Sequence, residues 1–150
     1  MAPGIKITGR FLEILQVEDN DGDARLLKQA LKKAGFPNRL NSVASGEAAW
    51  DYLTQKHPYQ AALRPDVILL DLKLPGKDGL TVLNEIRQSE AFKNIPVIVL
   101  TSSESDLDQN WASRLNANHY LAKPYDYEGF AELIKLLREQ WMKTFRKRRP

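Results

Sequence analysis

Apolar residues fall along this chain in five short blocks, each followed by a stretch with helical spacing. Phe11 to Val17, Arg39 to Ala44, Val67 to Leu70, Pro96 to Leu100 and His119 to Ala122 read as strands. The third and fourth are continuous apolar runs, the habit of strands buried on both faces of a parallel sheet. Between them, Asp21 to Ala34 places Leu27, Ala30, Leu31 and Ala34 on one helical face, and Gly35 ends the run. Ser45 can cap a second helix to about Lys56, with Ala49 and Leu53 four apart. A third helix over 79–89 carries Val82, Leu83 and Ile86, and a fourth over 106–115 carries Leu107, Trp111 and Leu115. The last, from about Asp126 to Lys143 or beyond, carries Phe130, Leu133, Ile134, Leu137 and Trp141, and extends toward Phe145. Five β-then-α units call for an α/β fold, a parallel sheet covered by helices on both faces. Gln16 breaks the apolar pattern of the first strand and needs a partner there.

The pattern shows no internal repeat. It divides into a Gly/Pro-containing lead-in over 1–10, one domain over 11–145 and a basic tail over 146–150. At 150 residues the chain can build a core without staples. There is no cysteine, which removes disulfides, thiol catalysis and thiolate metal sites. Two distant histidines, His57 and His119, argue against an imidazole-rich metal centre. No apolar run approaches the ~20 residues of a membrane span, and no signal-peptide core is present, so a cytoplasmic protein is expected. The net charge of +3 hides an asymmetry. Lys143, Arg146, Lys147, Arg148 and Arg149 crowd the last eight positions, which leaves the body mildly acidic.

The chemistry gathers at the carboxyl ends of the strands, where open α/β sheets place their ligands. Glu18 and Asp19 follow the first strand, Asp71 the third, Thr101 the fourth and Lys123 the fifth. Taken singly, each has an ordinary reading: Asp71 as a helix cap, the acidic pair as a helix start, Lys123 as a surface lysine. Taken together they form a phosphoryl-transfer set. If the first and third strands are neighbours, three acids crowd one pocket and repel one another unless they are protonated or a cation enters, and oxygen-only ligands suit Mg²⁺. The cation and Lys123 would neutralise charge on transferred phosphoryl oxygens, and Thr101 would bond one of them. A carboxylate nucleophile yields a transient acyl phosphate, which suits signalling better than storage.

The motifs Val17-Glu18-Asp19-Asn20, Ile68-Leu69-Leu70-Asp71, Pro75-Gly76-Lys77-Asp78-Gly79, Thr101-Ser102-Ser103 and Lys123-Pro124 resemble those of two-component response-regulator receiver domains. The resemblance spans about residues 11–142. It implies a flavodoxin-like doubly wound sheet of order 2-1-3-4-5 with five helices, the order for which a chemotaxis receiver is a standard example. It implies Asp71 as phosphoacceptor, and a Mg²⁺ site of Glu18, Asp19, Asp71 and the backbone carbonyl of Lys73. Thr101 and Lys123 would contact the phosphoryl group, and Tyr120 would be the aromatic whose rotamer reports phosphorylation. A cis Lys123–Pro124 bond is implied as well. Within the family the chain is similar to single-domain regulators paired with cyanobacterial phytochrome kinases. The features that suggest this are the long polar connection before Arg64-Pro65-Asp66 and the extended last helix with Trp141. Two departures are Gln16 in the first strand and Asp21, an extra acid expected to tune metal affinity or phosphate lifetime.

The implied partner is a sensor histidine kinase, in this subgroup a phytochrome kinase. With no effector segment after residue 145, output is expected through a surface of the last two β/α units. Trp141 and Phe145, past the reach of the sheet, are its candidate interface residues, and a homodimer through the C-terminal helices is the expectation. A haloacid-dehalogenase-like phosphotransferase would need a second Asp two positions after Asp71, where Lys73 stands. A nucleic-acid role for the basic tail lacks a reading helix, so specific nucleic-acid binding is not expected.

Overall fold

The computed structural model describes residues 11–102, 106–124, 126 and 128–147. The five strands are β1 (Leu12–Val17), β2 (Asn38–Val43), β3 (Val67–Leu70), β4 (Val97–Thr101) and β5 (His119–Ala122). They pair in parallel in the order β2-β1-β3-β4-β5. The helices are α1 (Asp21–Lys32), α2 (Gly46–Leu53), α3 (Gly79–Gln88), α4 (Asp106–Arg114) and α5 (Ala131–Lys147). This is the flavodoxin-like doubly wound sheet expected from the sequence. No described helix is long and apolar enough to cross a membrane. The lead-in over 1–10 lies outside the described residues, as do 148–150 of the basic tail; the helix itself runs on through Lys147.

Alternation along the buried strands feeds two cores. Leu12, Ile14, Val67, Leu69, Ile98 and Leu100 face Leu27 and Leu31 of α1 and Leu133 and Leu137 of α5. Leu15, Val17, Ile68, Leu70, Val97 and Val99 face Leu53 of α2, Leu83 and Ile86 of α3 and Ala112 of α4. The Gln16 anomaly is resolved in this frame: its Oε1 accepts a hydrogen bond from Ser42 Oγ at 2.8 Å, on the neighbouring strand β2.

Side chains cap the starts of three helices, Ser45 among them as the sequence suggests. Asn20 accepts from Asp23 N, Ser45 from Ala48 N and Asp78 from Thr81 N. Helix α2 stops at Leu53, short of Lys56, because the chain turns through a left-handed Gln55 (φ 58°). Helix α5 begins later than Asp126. Asp126 instead accepts from Gly129 N at 2.9 Å and holds a 3₁₀ turn, Glu128–Phe130, that leads into the helix. On α4 the expected apolar face is rotated: Ala112 is fully buried while Trp111 is 45% exposed. Arg114 lies over the Trp111 ring at 5.4 Å. The cis bond found among the described residues is His57–Pro58; Lys123–Pro124, where the family resemblance placed one, is not cis.

Arg87 ties the far ends of these units together, with no carboxylate partner among the described residues. Its guanidinium donates to the carbonyls of Asn116, Lys93 and Ile95 and to Asn118 Oδ1. Asn118 Oδ1 also accepts from Val97 N at 2.8 Å, so one cluster sets the starts of β4 and β5. Burial lowers the Arg87 pKa from its ordinary value.

Candidate functional site

The site is set by strand register. Ile14 pairs with Val67 and Val17 with Leu70, so the residues that follow, Glu18 and Asp71, leave the sheet level with each other. Asp71 N donates to Val17 O at 3.1 Å, and Glu18 N donates to Val43 O at 2.9 Å, which carries the ladder into the loops. On the other side Thr101 pairs with Ala122, and Lys123 N donates to Thr101 O at 3.0 Å. Four strands thus deliver Glu18, Asp71, Thr101 and Lys123 to one crevice at the carboxyl end of the sheet, where β1 and β3 diverge in connection.

Carboxylate oxygens of Glu18, Asp19 and Asp71 lie within 4.8 Å of one another. Asp71 and Glu18 are buried and Asp19 is exposed. Lys123 bridges two of them: its Nζ donates to Glu18 Oε1 at 2.9 Å and to Asp71 Oδ2 at 2.9 Å. The second Asp71 oxygen, Oδ1, accepts from Lys73 N at 3.0 Å. Asn20 N reaches Glu18 Oε2 at 3.1 Å. Burial is the main reason the Glu18 pKa lies above its ordinary value, and charge on Asp71 adds to it. The Lys123 ammonium and the Asn20 N–H pull the other way. Burial works against the Lys123 ammonium too, but its hydrogen bonds to Asp71, Glu18 and Asp23 outweigh that and hold its pKa above the ordinary lysine value.

Even with Lys123 present, three carboxylates leave the pocket with excess negative charge. Hard oxygen donors in such a set fit a divalent cation of the Mg²⁺ class. Thr101 is fully buried beside Lys123. Tyr120, paired with Val99, is half-buried against the α2–α4 core. Lys73 is exposed, two residues past Asp71.

One contributor was not legible in the sequence. Asp23, in the first turn of α1, places Oδ2 at 3.0 Å from Lys123 Nζ. Asp21, the acid singled out from sequence, is exposed at the start of the same helix. The signal for Asp23 was its position three residues after the Asn20 cap, which turns its side chain back toward the strand ends. The interface candidates sit differently from expectation. Trp141 is half-buried, its ring 6.0 Å from that of Phe36 at the foot of α1, with Phe145 stacked on its other side at 6.2 Å. Among the described residues the large apolar side chains most open to solvent on α4 and α5 are Trp111 and Met142, 45% and 41% exposed.

A doubly wound sheet with an acid cluster at its crevice and a lysine bridging from the last strand is the arrangement of a phosphate-receiving signalling domain. The model of the response regulator receiver domain matches residues 14–137, and the chain belongs to that family. It is 40% identical over 129 residues to the probable methanogenesis regulatory protein FilR2 of Methanothrix harundinacea, covering 86% of this chain and 83% of that one. It is 38% identical over 131 residues to response regulator Rcp1 of Synechocystis, covering 87% and 89%. The crystal structure of the phosphorylated cyanobacterial phytochrome response regulator RcpA matches with a TM-score of 0.79 and 39% identity, over 89% of this chain and 96% of that one. The Mn(2+)-bound form of Rcp1 matches with a TM-score of 0.74 and 39% identity, over 85% and 89%. The protein is thus a two-component response regulator, the partner that receives phosphate from a sensor histidine kinase.

Proposed function

We propose that Asp71 is the phosphoacceptor and that Glu18, Asp19, Asp71 and the Lys73 carbonyl hold Mg²⁺ beside it. The observation that carries this reading is the buried Asp71 carboxylate, met by Lys123 at 2.9 Å and lying within the three-acid cluster. An Asp71 oxygen attacks phosphorus on the kinase's phosphohistidine. The P–N bond breaks, its electron pair returns to the imidazole nitrogen, and an acyl phosphate remains on Asp71. Lys123 and the Thr101 hydroxyl meet the charge on the phosphoryl oxygens. The bound cation supplies further positive charge against those oxygens. The chain thereby catalyses its own phosphorylation and, with water as acceptor, its own dephosphorylation. That the similar response regulator Rcp1 has a Mn(2+)-bound form supports a divalent cation for this chain as well. Incubation with phosphoramidate should give acid-labile phosphate with Mg²⁺ and almost none with EDTA. Equal labelling in EDTA would overturn the cation's role.

The kinase we assign is of the phytochrome type, on the strength of the 39% identity to RcpA across 89% of this chain. Output runs through the face of α4, β5 and α5. Thr101 moves toward the phosphoryl group and Tyr120 turns inward behind it, so a change in the pocket reaches that face. Trp111 on α4 and Met142 on α5 are exposed, and exposed apolar side chains favour a protein interface. We assign a homodimer to this face, with phosphorylation shifting a pre-existing equilibrium by a few kcal/mol. In sedimentation at tens of micromolar, a beryllofluoride-loaded wild type should be more dimeric than the free protein, and Trp141→Ala less so. A monomer under every condition refutes the dimer.

A further inference from the structure

The pocket holds one more acid than phosphate acceptance requires. A lysine ammonium has three donor hydrogens. In Lys123 all three are engaged by carboxylates, those of Glu18, Asp71 and Asp23, at 2.9, 2.9 and 3.0 Å. A phosphoryl group arriving on Asp71 brings three terminal oxygens, so beyond the hydrogen Asp71 itself releases, a second bond to Lys123 requires Glu18 or Asp23 to let go. Asp71 gives up its charge when it becomes an acyl phosphate, and the hydrogen it accepted passes to the phosphoryl group it then carries; the side chain of Glu18 is only 5% exposed, and releasing it would leave a buried charge without its partner. The Asp23 side chain is 44% exposed, so water can replace the ammonium there at little cost.

We propose that Asp23 is a positioning residue for phosphate acceptance: it holds the third hydrogen of Lys123 on the solvent side of the pocket and yields it to the phosphoryl group. This rests on the reading of Asp71 as phosphoacceptor. A negative side chain in the first turn of α1 is favourable for the helix wherever it points. This one points at a lysine 100 residues away. Its backbone N–H is fixed by the Asn20 cap at 2.9 Å, so it cannot follow the lysine inward. Beside the pair lies a small cavity lined by Gln16, Leu27 and Phe130, which gives the ammonium room to swing. Asp23 therefore competes with the phosphoryl group for Lys123. Its charge weakens the hold of the pocket on phosphate and on phosphate mimics.

The test is the affinity for beryllofluoride at saturating Mg²⁺, read by ¹⁹F NMR. Asp23→Asn should bind about fivefold more tightly than wild type, the range of a half-exposed ion pair. Asp23→Glu, which keeps the charge, should restore the weaker binding. The gap between Asn and wild type should narrow as salt is raised, because the competing pair is half-exposed. A merely structural role would lower the melting temperature and leave this salt-dependent gap absent. Asp23→Ser gives the same comparison if Asp23→Asn folds poorly. Equal or weaker binding by the charge-removing variants overturns the proposal while leaving the phosphoacceptor reading intact. A wild type that takes up neither beryllofluoride nor phosphate overturns both.

Discussion

Asp71→Asn should remove acid-labile phosphate from this protein altogether, a loss on the order of a thousandfold or more in phosphorylation rate, the scale seen when a nucleophile is deleted. Asparagine keeps the shape of the side chain, and its Oδ1 can still accept from Lys73 N, the bond now made at 3.0 Å. What it lacks is the anionic oxygen that the proposed transfer uses as nucleophile. The substitution also removes one of the charges held around Lys123 and eases repulsion with Glu18 and Asp19, whose oxygens crowd within 4.8 Å. These changes oppose one another, so stability should move by no more than about 1–2 kcal/mol. A thermal melt close to wild type, paired with absent labelling, is the expected result. Undiminished labelling would mean that phosphate goes elsewhere in the chain.

Gly79→Ala should strike the fold and the site together. A β-carbon at Gly79 would sit 2.5 Å from Cα of Leu72 and 3.0 Å from the carbonyl carbon of Asp71, and closer still to the Asp71 carbonyl oxygen. The neighbours are backbone, so no side chain can turn aside. Gly79 N also donates to Leu72 O at 2.9 Å, which locks the start of α3 against the loop that carries Asp71. Overpacking of this kind costs about 3 kcal/mol, the upper part of the usual range. The better helix propensity of alanine offsets less than about 1 kcal/mol of it. The urea midpoint should fall with an unchanged slope, and phosphorylation should slow because relief of the clash moves Asp71. Gly46→Ala is the milder comparison, since its closest neighbour is the Val82 side chain at 2.6 Å. A Gly79→Ala midpoint equal to wild type would show that the loop gives way more easily than its contacts suggest.

Much of this was legible in the residues. Parallel strands announce themselves as continuous apolar runs, and ligands of such sheets gather at the carboxyl ends, so Glu18, Asp19, Asp71, Thr101 and Lys123 could be read as one site from their positions. Strand order could not be read that way. Apolar periodicity says that a strand is buried and not beside which neighbour it lies; the order followed only from the motif resemblance. Asp23 escaped notice because an acid in a first helical turn is ordinary, and only the register of β1 with β3 and of β4 with β5 brings Lys123 to it. Trp111 misled in the opposite sense. Its spacing from Leu107 and Leu115 suits a buried stripe, yet the helix approaches the sheet through Ala112, which is fully buried. Small residues permit close packing and leave little hydrophobic signal.

Lys123 is separated from Glu18 by 105 positions along the chain. Synthesis runs from the N-terminus, so the acids emerge from the ribosome long before the lysine that balances them. A nascent or truncated chain that ends before β5 would hold Glu18 and Asp71 without their shared cation, and would lack the group that meets phosphoryl charge. The charge-balanced pocket can therefore form only once β5 has been made and has docked on β4.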